Sequence, residues 1–138
     1  MTRRHERRAR ARALQVLYAC DMRGETATAV ASARVFDDLG VPARERSMAA
    51  ALVTAVADNT ATLDEHVTAV AANWRMERLG AIERSLLRLG AAELAAANTP
   101  PRVVLQEAVR LAERFGGLES ARFVNGVLDA IARRMGRL

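Results

Sequence analysis

Arginines at positions 3, 4, 7, 8, 10 and 12 form the densest patch of chemistry in this chain. A guanidinium presents a planar fork of N–H donors that fits phosphate oxygens and stacks on bases, so such a run suits docking of a polyanion. Residues 1–12 hold six of the 21 basic residues and one of the 16 acids, so the net charge of +5 belongs to this segment. On a helix, Arg4, Arg8 and Arg12 stand at i, i+4 and i+8, with Arg3, Arg7 and Arg10 in an adjoining stripe. Like charges at that spacing repel, and they oppose the macrodipole at a helix N-terminus. Folding supplies no reason for them. Phosphate binding does, with nucleic acid as the first partner and an anionic membrane surface as the second. A frayed terminus that only aids solubility is the plainer alternative.

Phe123, beside Arg122, has the makings of a base-stacking platform, although composition alone favours its partial burial. Phe36, Phe115, Tyr18 and Trp74 read as core or subdomain contacts. Groups for catalysis are sparse. His5 lies inside the arginine run and His66 follows Glu65, neither with a second ligand at metal spacing. Cys20 points into a bundle and reads as structural. Glu83-Arg84 and Glu113-Arg114 read as solvated helix faces. No glycine-rich phosphate loop or serine elbow is visible. The expectation is a binding protein, not an enzyme, with no cofactor and no metal.

At 138 residues the chain suits one domain or two small packed bundles, and its hydrophobic fraction of 51% provides a core. No apolar run approaches the roughly 20 residues of a membrane span. A single reduced cysteine predicts a cytoplasmic protein. The Arg-rich start invites comparison with a transit peptide. It lacks serine through residue 25, however, and runs straight into an apolar helical pattern without a cleavage site.

Helical periodicity recurs throughout, without a convincing period-two segment. The spacing predicts helices over about 3–22, 28–39, from Ala43 to a break at Asp58-Asn59-Thr60, to Ala72, 78–97, 102–115, and a last one capped by Ser120 and ending near Arg134. Trp74 falls in a connection, and a left-handed cap is expected at Gly116-Gly117. Val104, Ala108, Leu111, Ala112 and Phe115 form one apolar stripe; Val124, Val127, Leu128, Ile131 and Met135 form another. Gly126, inside the last helix, costs about 1 kcal/mol relative to Ala, and close helix packing is the usual compensation. The fold class is all-α, with about seven helices.

Residues 103–131, VVLQEAVRLAERFGGLESARFVNGVLDAI, resemble the C-terminal signature of the NusB family of transcription antitermination factors. RRHERRARARALQVLY resembles that family's opening helix, and W.MERLGAIERSLLRLGAAEL its central one. The resemblance covers essentially the whole chain. It implies a single NusB-like domain, residues 1–138, in two helical sub-bundles near 1–73 and 74–138. It also implies binding of boxA RNA from ribosomal RNA leaders together with NusE, a small-subunit ribosomal protein, and action on the RNA polymerase antitermination complex. The RNA-facing positions are then Arg3, Arg4, Arg7, Arg8, Arg10 and Tyr18, with a second patch of Glu119, Arg122 and Phe123. Glu83, Arg84 and Leu87 match the NusE face.

Gln106 replaces the Asn common in this family, and Ala92 an often aromatic residue near the NusE face. Asn125, Gly126 and Asp129 match the signature, but polar bridging and close packing explain them as well as RNA contact does. Proteins of this kind occur as monomers and homodimers, and a dimer covering the arginine face would inhibit RNA binding. Two alternatives differ in class: a helical accessory module of an rRNA-modifying enzyme, and a general Arg-mediated nucleic-acid or membrane-surface binder. The absence of a nucleotide-binding glycine loop after Leu138 speaks against the first.

Overall fold

The computed structural model describes residues 3–138. Among them the helices are α1 (Arg3–Arg23), α2 (Ala29–Leu39), α3 (Ala43–Ala57), α4 (Thr60–Val70), α5 (Ala81–Ala96), α6 (Pro101–Gly116) and α7 (Leu118–Arg134), with a 3₁₀ turn over Met76–Arg78 before α5. No strand occurs among the described residues, and no helix is long and apolar enough to cross a membrane. The chain divides into two compact units, the first ending at Asp58 and the second spanning Asn59–Leu138. The boundary therefore falls earlier than the expected position near residue 73. The cause is α4, which packs on α5 and α7 and so belongs with the helices that follow it.

In the first unit α1 packs on α3 and more lightly on α2. Their buried faces are rich in small side chains, among them Ala9, Ala13 and Cys20 on α1 and Ala49 on α3. Small residues let helices approach closely. α2 starts at an N-cap, where Thr28 Oγ1 accepts from the Ala31 amide at 3.1 Å. It stops at Gly40, whose φ of 63° is the left-handed conformation that glycine adopts without strain. Arg46 of α3 then secures this end of α2, donating to the Val41 carbonyl at 2.8 Å, the Asp37 carboxylate at 2.7 Å and the Phe36 carbonyl at 3.3 Å.

α5 is the central helix of the second unit. It is buried on nearly every side from Ser85 to Leu94 and touches α4, α6 and α7. Arg88, the half-exposed residue in that stretch, makes a bidentate pair with Asp64 of α4 at 2.7 and 2.9 Å. The predicted stripes of α6 and α7 are buried, except that Phe115 and Met135 remain half-exposed. A Cβ on Gly90 would stand 2.6 Å from Leu128 Cδ1, so this glycine sets the close approach of α5 and α7. Gly126 does not: nothing lies within 4 Å of a Cβ built there. Ser120 is not a cap either, because its hydroxyl donates to the Glu83 carboxylate and α7 already begins at Leu118.

Candidate nucleic-acid interface

The period of α1 and distance from its N-terminus together sort its arginines. Arg3, Arg4 and Arg8 are exposed, whereas Arg7 and Arg12 are half-buried. Arg12 Nη1 donates to Gln15 Oε1 at 2.8 Å, and its buried Nε has no hydrogen-bond partner among the described residues. Arg10 departs from the expectation, being only 4% exposed. It stands four residues before Leu14 and seven before Leu17, and it shares their buried stripe. Its guanidinium is committed to the interior of the first unit rather than to a surface ligand. Tyr18, at 38% exposure, sits at the edge of the helix face and is not a core residue.

A second set of candidates gathers on α7 and on the connection between α4 and α5. Gly117 adopts φ 91° and ψ −177°, a conformation nearly confined to glycine, and this allows α7 to start directly after α6. The backbone there is extended in ψ and does not form the left-handed cap expected from the Gly-Gly pair. One turn into α7, Glu119 and Arg122 are exposed and Phe123 is half-buried. The Phe123 ring meets Trp74 edge to face, with centroids 5.7 Å apart and planes at 69°. Trp74 is 54% exposed, which rules out the core among the core or subdomain contacts expected of it. Its connection is a short turn, with the Trp74 amide bonded to the Ala71 carbonyl, and offers no helix face to cover the indole. Trp74, Phe123, Arg122, Asn73 and Gly126 line an open groove of about 350 Å³. Sequence reasoning missed Trp74 as a surface group. Its place in a predicted connection was the available signal.

The three residues expected to face a protein partner are largely occupied inside the second unit. Leu87 is fully buried in the core, which removes it from any contact surface. Arg84 Nη1 donates to the carbonyls of Met76 and Leu79 at 2.9 and 2.7 Å, pinning the 3₁₀ turn to α5. Glu83 accepts from Ser120 and folds over Gly80, where a Cβ would collide with its carboxylate. These two side chains are half-buried braces with part of their surface facing solvent, not the fully solvated faces their sequence suggested.

Groups suited to bond-making chemistry are dispersed. No group of three or more His, Cys, Asp or Glu among the described residues could hold a metal ion. Burial pushes the Cys20 thiol above its ordinary pKa; the Glu25 carboxylate adds to the shift, and Arg34 and Arg23 oppose it. A thiol held protonated is a poor nucleophile. His66 Nδ1 lies 2.7 Å from Arg134 Nη1. Because arginine can only donate, that ring nitrogen is the acceptor in this contact.

With the arginine face and the aromatic groove in view, comparison with known proteins decides the family. Residues 7–133 match the NusB family. This chain belongs to it. The transcription antitermination protein NusB of Sorangium cellulosum is 43% identical over 127 residues, covering 91% of this chain and 90% of the relative. That of Solibacter usitatus is 40% identical over 132 residues, 94% of this chain and 89% of the relative. Among solved structures, a crystal structure of antitermination factors NusB and NusE in complex with double-stranded RNA superposes with a TM-score of 0.86 at 30% identity. It matches 96% of this chain and 99% of that one. The seven-helix NusB architecture is thus the fold of this chain, as its sequence pattern predicts.

Proposed function

We propose that this NusB-family protein is a non-catalytic transcription antitermination factor that binds boxA RNA of ribosomal RNA leaders together with NusE. The complex would act on RNA polymerase during elongation, in the cytoplasm. The observation that carries the reading is the exposed Arg3, Arg4 and Arg8 face of α1, which holds charge that helix formation disfavours. A NusB protein solved with NusE and RNA supports the same partners here.

In this reading Arg3, Arg4 and Arg8 hold phosphates, with Arg7 and Tyr18 at the edge of that face. Phosphate contacts position a strand but carry no sequence information. Discrimination would come from the second patch, where Phe123 offers a stacking ring and Arg122 and Glu119 offer polar groups. The solvent-facing parts of Glu83 and Arg84 are the candidate NusE contact.

The decisive experiment is fluorescence anisotropy with boxA and scrambled RNA, each with and without purified NusE, across a salt series. The expected result is a boxA preference that NusE strengthens. Equal, steeply salt-dependent binding of both RNAs, indifferent to NusE, would reduce the protein to an Arg-mediated polyanion binder.

A further inference from the structure

Gly126 stands in the middle of α7 with no packing reason to be glycine. A mid-helix glycine costs about 1 kcal/mol relative to alanine, and that cost is commonly offset where a neighbouring helix needs the space. Here the space is empty: a Cβ would meet nothing within 4 Å, and the residue is exposed. Gly90 shows the contrast, its missing side chain being filled by Leu128.

The opening beside Gly126 is the groove walled by Trp74 and Phe123. A T-shaped ring pair contributes only about 0.5–1.5 kcal/mol beyond its buried area, and 54% of Trp74 is still left in water. Among the described residues, Arg122 is the one charged residue lining this groove, and no carboxylate does; Asn73 adds an amide with both donor and acceptor. Two aromatic rings, one guanidinium, one amide and a bare stretch of helix backbone suit a flat, polar-edged, aromatic ligand carried on an anionic chain.

We propose that this groove receives one unstacked base of single-stranded RNA, with Trp74 as a second stacking ring beside Phe123 and Gly126 as the opening that admits it. The inference rests on the RNA reading of the Phe123 face and adds to it a specific pocket and two residues. Gly126 acts by leaving room, so any side chain there blocks the base without touching the fold.

The chain has a single tryptophan, so Trp74 emission reports on the groove directly. The probes are single-stranded boxA RNA and the same strand carrying abasic positions. With the intact protein, boxA RNA should quench Trp74 emission, and one abasic position should weaken binding and abolish the quenching. Gly126→Val should bind boxA RNA about tenfold more weakly with an unchanged salt slope, because phosphate contacts remain. Gly126→Ala, a better helix former, should unfold at a higher temperature than the original chain and still lose affinity. If both Gly126 variants and Trp74→Leu bind normally while Phe123→Ala is weakened, the pocket is overturned and the RNA reading stands. If Phe123→Ala also binds normally, RNA recognition at this face is overturned with it.

Discussion

A guanidinium on α1 is exposed or packs in the core according to both its place in the 3.6-residue period and its distance from the helix N-terminus. Arg3 shares the stripe of Arg10 and is exposed. Arg8 is exposed and Arg10 is buried, although only one residue separates them. Arg8→Ala should leave the melting temperature unchanged and flatten the dependence of log affinity on log salt by about 0.7, the value of one single-strand phosphate contact. Arg10→Ala should do the reverse, costing about 1–3 kcal/mol of stability through lost packing while the salt slope stays put. Thermal unfolding and salt titration of the two variants check this directly. The burial of Arg10 was legible, since Leu14 and Leu17 extended back by whole turns land on it. The meeting of Phe123 with Trp74 was not, because no local pattern pairs residues so distant in the chain. Cys20 adds a pH dependence. Its folded pKa is raised, so the folded state keeps a proton that the unfolded chain gives up. That contribution is complete below about pH 8.5, the ordinary thiol value, and declines as the pH rises beyond it. Stability measured across this range should fall more steeply for the original protein than for Cys20→Ala.

Helices impose their own requirements, and the two mid-helix glycines show how much depends on the facing element. Gly90 and Gly126 look alike in sequence, each a lone glycine in an apolar-periodic run. On α5 the missing side chain is required: a methyl group would press to 2.6 and 2.8 Å on the terminal carbons of Leu128, which is itself fully buried and cannot swing aside. Gly90→Ala should therefore cost about 1–3 kcal/mol in chemical denaturation, an overpacking penalty large enough to outweigh alanine's better helix propensity. A stabilised Gly90→Ala variant would show that α5 and α7 are free to separate. Periodicity placed all seven helices, because apolar stripes such as Val124, Val127, Leu128 and Ile131 are local in sequence. Their ends were set by partners that periodicity does not register. Residues 76–78 tighten into a 3₁₀ turn held by Arg84, which delays α5 to Ala81, and Glu83 draws Ser120 away from the capping role its type suggested.

For the whole molecule, the arginine cluster of α1 and the aromatic groove beside α7 give the two proposed kinds of RNA contact distinct experimental signatures. Arg3, Arg4 and Arg8 belong to the first compact unit and the Trp74–Phe123 pair, with Arg122 beside it, to the second. Charge alone binds any strand and is weakened by salt, whereas stacking and edge contacts discriminate and respond little to salt. Replacing Arg3, Arg4 and Arg8 together by glutamine should weaken boxA and scrambled RNA by the same factor. It should also flatten the salt slope by about 2, three contacts at roughly 0.7 each. Phe123→Ala should leave the slope as it was and remove about 1–3 kcal/mol from boxA binding alone, drawing the two RNAs together. Anisotropy across a salt series reads both quantities in one experiment. A triple arginine variant that lost boxA preference while keeping its slope would assign sequence reading to α1, and the division of labour between the two units would have to be reversed.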